Sequence, residues 1–118
     1  MVTPVFQVTD YAQAVAFYVD WLGFSIDWED RPASGGYYAQ VSRGNIVLHL
    51  TTYPHEGCIG SRAIAEFTGL LVFHRLLLRK EAAFPPPQLQ KTTWNDKVMQ
   101  LELFDPAGNC LVLTEVCA

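Results

Sequence analysis

The stretch Asp10-Tyr11-Ala12-Gln13-Ala14-Val15-Ala16-Phe17-Tyr18-Val19-Asp20-Trp21-Leu22-Gly23-Phe24 decides how this chain folds. Asp10 has the short acceptor side chain of a helix N-cap, and Gln13 three residues on completes a capping box. Tyr11, Ala14, Val15, Tyr18 and Leu22 then recur at helical spacing, which makes one apolar face. Gly23 ends the helix, because glycine adopts the left-handed turn that closes one. Working outward, Val5 to Val8 reads as a strand before the helix and Phe24 to Trp28 as a strand after it. Arg31 to Gly36 is a loop. Tyr37 to Ser42 and Ile46 to Thr51 are strands around a tight turn at Arg43-Gly44-Asn45. The order is β-α-β-β-β.

After a linker at Tyr53 to Gly60 the order recurs. Arg62 to Phe67 reads as a strand, and Thr68 is the expected cap of a helix running to about Ala82. Gln88 to Gln90, behind three prolines, is a poor strand candidate. Val98 to Phe104 and Cys110 to Val116 are strands around Asp105-Pro106-Ala107-Gly108-Asn109. Gly44-Asn45-Ile46-Val47-Leu48 is similar to Gly108-Asn109-Cys110-Leu111-Val112. The expected architecture is α+β: one domain over 1–118, built of two βαβββ modules at about 1–52 and 60–118, each forming a cupped mixed sheet.

Composition narrows the function. Of the 118 residues 50% are hydrophobic and 17% charged, so the chain is not of disordered type. The net charge of −4 gives no basic field for a nucleic-acid backbone. The longest nearly apolar run, Gly69 to Leu78, contains His74 and Arg75 and is too short to span a bilayer. No basic-then-apolar leader follows Met1, and three cysteines without paired spacing suggest free thiols, so a cytoplasmic location is expected. Residues 1–52 hold five acids against two bases, a net of −3.

Asp10 to Tyr18 followed by Leu22-Gly23-Phe24 resembles the first helix of the glyoxalase/bleomycin-resistance/dioxygenase superfamily, also called the vicinal oxygen chelate superfamily. Tyr38 to Gly44 with Val47-Leu48-His49-Leu50, Thr93-Trp94 and Asp105 to Asn109 resemble its bleomycin-resistance branch. The stretch Gly69 to Gln90 departs most, with Leu70-Leu71-Val72 and then Pro85-Pro86-Pro87 where members carry acids and a glycine. The resemblance implies a homodimer whose cups form clefts. Some members hold a divalent metal there for isomerase, transferase or dioxygenase chemistry. The bleomycin-resistance branch uses none and sequesters a cationic drug, an antibiotic-resistance function.

The resemblance places the metal positions of the superfamily at Thr3, His49, Arg62 and Val112. Valine cannot coordinate, and arginine puts a fixed positive charge where a cation would sit. No metal and no other cofactor are therefore expected. A relocated site on His49, Glu66 and Glu102 would instead make the chain a metal-dependent lyase or oxygenase. Strand alternation turns Ile46, Leu48 and Leu50 toward the helix and Val47, His49 and Thr51 toward the cup. The same rule lines the cup with Gln7, Tyr38, Gln40, Arg62, Glu66, Gln100 and Glu102, with Trp94 nearby. The expected ligand-binding set is Tyr38, Gln40, His49, Arg62, Glu66, Trp94 and Glu102, which suits a cationic aromatic molecule. Each has a plainer alternative: Trp94 as an edge plug, His49 as a structural histidine, Arg62 paired with Glu66 or Glu102. Trp21 and Trp28 read as core or dimer packing, and His74 as structural. No nucleophile has a convincing base: Ser34 and Ser61 have no His/Asp pattern, and Cys58 reads as a loop thiol. Leu70, Leu71, Val72, Phe73, Leu76, Leu77 and Leu78 cover nearly the whole circumference of the second helix, so a further contact, most simply a second copy, is expected there.

Overall fold

The computed structural model describes residues 2–80 and 84–117. It divides into two compact units, residues 1–61 with 105–109 and residues 62–104 with 110–118. Each unit contains a four-stranded mixed sheet, so the chain is α+β with a repeated β-α-β-β-β order.

In the first unit the strands are β1 (Val5–Gln7), β2 (Ser25–Asp30), β3 (Tyr38–Arg43) and β4 (Ile46–Thr51), in sheet order β1-β4-β3-β2. β1 pairs parallel to β4, and the other pairings are antiparallel. The helix opens as expected. The Asp10 carboxylate accepts the Gln13 backbone N–H at 3.0 Å, and α1 runs Tyr11–Val15. It continues as a π-helical segment, Ala16–Trp21. The wider turn places Phe17, Tyr18, Trp21 and Leu22 all in the core, a broader apolar face than 3.6-residue spacing alone produces. Gly23, at φ +83°, then turns the chain back so that the Phe24 N–H reaches the Tyr18 carbonyl at 2.9 Å.

The Asp105–Asn109 turn belongs to this unit and is tied to it by a buried carboxylate. Asp105 accepts hydrogen bonds from the Tyr18 hydroxyl at 2.6 Å, the Asn109 side-chain amide at 3.0 Å and the backbone N–H groups of Ala107 and Asn109 at 2.9 and 2.8 Å. The Asn109 amide also donates to the Gln7 carbonyl at 2.7 Å. These bonds explain physically why the turn needs Asp at its start and Asn at its end.

In the second unit β5 (Arg62–Glu66), β6 (Leu89–Lys91), β7 (Val98–Phe104) and β8 (Cys110–Val116) take the order β5-β8-β7-β6. Two expectations are corrected here. The segment after the prolines does form a strand, β6, because Leu89, Gln90 and Lys91 pair with Leu101, Gln100 and Met99 at the sheet edge. Thr68 does not cap the second helix. α2 spans Leu70–Arg79, and its N-cap is Gly69 at φ +83°, with no capping side chain of its own. The Glu115 carboxylate, from β8, accepts the Gly69 and Leu70 N–H groups at 2.9 and 3.0 Å and replaces the cap. The expected helix end at Ala82 lies outside the described residues. Leu70, Phe73 and Leu77 are buried, while Leu71, Val72, Leu76 and Leu78 are exposed.

Candidate functional site

The cup face of the first sheet carries a continuous polar chain. Gln40 on β3 lies opposite His49 on β4, and residues directly opposite on neighbouring strands share a face. Tyr38 is two residues from Gln40 and lies on the same side. The Tyr38 hydroxyl stands 2.8 Å from His49 Nδ1, and His49 Nε2 stands 3.1 Å from Gln40 Oε1. Gln40 Nε2 donates to Asp27 Oδ2 at 3.1 Å, and the Ser42 hydroxyl donates to Asp27 Oδ1 at 3.0 Å. Burial, then the charge of Glu56, pushes the Tyr38 phenol above its usual pKa and keeps its proton on.

Of the two roles read for Trp28, core or dimer packing, the structure excludes the core, since the ring is half exposed. The β2–β3 register slips between Ile26 and Trp28: Ile26 opposes the buried Val41, whereas Trp28 opposes Gln40. Asp27 is the extra residue of this bulge, and the bulge moves Trp28 to the face of Tyr38 and His49. Its ring lies parallel to Tyr38, at 4° and 5.9 Å between centroids, and edge-on to His49 at 5.4 Å. Trp28 stays 46% exposed. Tyr38, Gln40 and His49 are thus brought together as expected, joined by Asp27 and Trp28. Simple alternation misses both additions because a bulge leaves no signature in the hydrophobic pattern.

The second unit holds a cleft of about 490 Å³ beside Trp94. Trp94 is 63% exposed and shares the lining with Phe67, Asn95, Val98 and Val116. The charged groups among the lining residues are Glu66 and Glu115. The two N–H groups at the start of α2 hold the Glu115 carboxyl below its usual pKa, so it stays anionic. A face of aromatic rings and carboxylates, with no base among the described lining residues, suits a flat cation. Glu115 and Phe67 join the site only through the fold: Glu115 reaches it because it caps a helix remote in sequence. Arg62 and Glu102 are elsewhere on this sheet. Arg62 Nη1 donates to Glu102 Oε2 at 2.7 Å, which raises the guanidinium pKa further, and Gln90 reaches Glu102 at 3.5 Å. Of the alternatives left open, Arg62 pairs with Glu102 and not with Glu66.

The remaining single residues fall as read. His74 Nε2 stands 2.9 Å from the Pro87 carbonyl, a structural bond. His55 is in a loop beside Glu56, and Cys58 is exposed.

Comparison with known proteins agrees with this architecture. A family model described as "Glyoxalase superfamily protein" matches residues 1–117. The chain belongs to the glyoxalase superfamily. Among solved structures it is similar to the bleomycin-binding protein from bleomycin-producing Streptomyces verticillus complexed with copper(II)-bleomycin. That match has 25% identity and a TM-score of 0.71, covering 99% of this chain and 94% of that one. A bleomycin resistance determinant encoded on the transposon Tn5 superposes at a TM-score of 0.72 with 24% identity, covering 98% and 97%. A glyoxalase family protein from Enterococcus faecalis gives 0.66 at 17% identity, covering 97% and 94%. A search of curated protein sequences returns no match.

The metal that some superfamily members hold has no fitting donor set at the corresponding positions. Val112 is fully buried and has no donor atom. Arg62 is a cation committed to Glu102, and both ring nitrogens of His49 are already hydrogen-bonded. Among the described residues no three His, Cys, Asp or Glu side chains assemble as ligands. No described helix is long and apolar enough to cross a membrane.

Proposed function

We propose that this protein binds and sequesters a small cationic aromatic molecule in the cleft beside Trp94, as a bleomycin-resistance-like member of its superfamily. The observation that carries the reading is the cleft itself: about 490 Å³, an exposed indole, and Glu66 and Glu115 as its charged lining. A volume of this size lies within the range that takes a drug-sized ligand. Sequestration needs affinity alone, which fits a lining without a nucleophile–base pair. The likeness to bleomycin-binding structures points the same way. Tyr38, Gln40 and His49 on the first sheet, and the ion-paired Arg62 and Glu102 on the second, are proposed as ligand contacts, each on its own sheet face. A second copy of the chain is proposed to cover exposed apolar surface, since Ile64, Leu71, Val72, Leu76, Leu78, Phe104 and Val116 of the second unit all stand in solvent.

Tryptophan fluorescence tests the cleft. Bleomycin and an unrelated cationic aromatic dye are titrated into the wild type and into Trp94→Phe. Saturable quenching that is largely lost in the variant supports the reading. No quenching by either compound overturns it and leaves the fold untouched.

A further inference from the structure

The hydrogen-bond chain on the first sheet has a direction, and one residue sets it. Asp27 carries a carboxylate, which only accepts. Gln40 must therefore turn its amide N–H₂ toward Asp27, which places Oε1 toward His49. An amide oxygen only accepts, so His49 carries its proton on Nε2 and leaves Nδ1 bare. Nδ1 then accepts a hydrogen bond from the Tyr38 hydroxyl at 2.8 Å. Every donor along Tyr38, His49 and Gln40 points inward to Asp27, and Ser42 fills the second carboxylate oxygen. At the open end the Tyr38 oxygen has spent its proton, and its remaining lone pair can only accept. Beside it lies the half-exposed indole of Trp28, parallel to the Tyr38 ring.

We propose that Asp27 is the positioning residue that fixes the polarity of this face, and that the face takes a flat ligand bearing N–H donors, such as an aromatic amidinium, and rejects the matching acceptor. The ring of the ligand packs on Trp28 while its N–H reaches Tyr38. A carboxylate in the same pose sets its own lone pair against that of Tyr38, where the amidinium offers an N–H. The inference extends the ligand-binding reading to a second face and a stated chemistry. Its first arm is independent of that reading.

The first arm is the tautomer of His49, read from imidazole ¹⁵N chemical shifts, with His55 and His74 as references within the same protein. The wild type shows the Nε2–H form. Asp27→Ala removes the acceptor, frees the Gln40 amide to flip, and gives a mixture of tautomers. Asp27→Asn is the conservative variant: with its amide oxygen turned to Gln40 and its N–H₂ donating to the Ser42 hydroxyl, it still accepts from Gln40, so the Nε2–H form persists although the charge is gone. The second arm titrates benzamidinium and benzoate, which have the same shape, and follows the Trp28 indole N–H. The wild type prefers benzamidinium by roughly tenfold, the size of one hydrogen bond to a charged group. Asp27→Ala drops the preference below about threefold, while Asp27→Asn retains most of it. An Nδ1–H form in the wild type, or an unchanged tautomer in Asp27→Ala, overturns the relay. A preference lost equally in Asp27→Asn overturns polarity in favour of simple charge attraction. Binding of neither probe at Trp28 overturns the ligand chemistry. Failure of both bleomycin and the cationic dye to quench Trp94 overturns the cleft reading alone.

Discussion

Replacing Tyr18 with Phe removes one oxygen and leaves the ring in place. That oxygen donates to Asp105 across 2.6 Å, and both residues are buried. A short bond from a neutral hydroxyl to a buried carboxylate is charge-assisted, so its loss costs more than an ordinary hydrogen bond. Three other donors stay on Asp105, from Ala107 and from both nitrogens of Asn109, so the carboxylate is left short of one partner and not stranded. The expected destabilisation is about 1.5–3 kcal/mol. Tyr18 also packs edge-on to Phe17 at 4.9 Å and to Phe24 at 6.2 Å, and Phe preserves both contacts. Urea unfolding of the two proteins at pH 7 reads the difference directly, with equal slopes confirming that the same surface unfolds. Asp105→Asn, which loses the charge and converts one acceptor to a donor, should cost at least as much. The double variant should cost less than the sum of the two, because they share one bond. A Tyr18→Phe protein within about 0.5 kcal/mol of the wild type refutes the claim that this carboxylate anchors the turn.

Gly69→Ala meets no neighbouring atom at its new Cβ, so only the left-handed backbone opposes it, and about 1 kcal/mol of stability should be lost on thermal unfolding. Glu115 has a folded-state pKa below its ordinary value. Its contribution is therefore present above the ordinary carboxylate range and lost as pH falls through the folded-state value. The melting temperature of Glu115→Gln should lie below the wild type at pH 7, and the two should converge in acid. Sedimentation equilibrium should give twice the 13.2 kDa chain mass, and Leu71→Glu with Leu76→Glu should shift it toward the single chain if α2 is the covered surface.

The β-α-β-β-β repeat was legible because its signals are local. Asp10 and Gln13 open one helix, Gly23 closes it, and alternation in Ile46–Thr51 and Val98–Phe104 separates core from cup. The surplus of leucine on α2 was legible for the same reason, since Leu71, Val72, Leu76 and Leu78 exceed what one sheet can cover. What escaped depends on partners distant in sequence or on register. Gly69 opens α2 only because Glu115 arrives from β8. Leu89–Lys91 becomes a strand only because β7 offers an edge to pair with, which no property of the proline-led segment reveals. Trp28 has the parity of a core residue until the bulge at Asp27 reverses it. In the candidate site, residue types on regular strands were therefore readable, including Tyr38, Gln40 and His49. Asp27 and Trp28 entered by a backbone irregularity, and Glu115 by a tertiary cap.

Isothermal titration of bleomycin into the wild type and into Trp94→Ala tests the central claim most directly. The account predicts saturable binding to the wild type, weakened by about tenfold or more when the indole is removed, as expected for the loss of one stacked aromatic ring and its buried area. An absence of binding, or equal affinity in the two proteins, would contradict it.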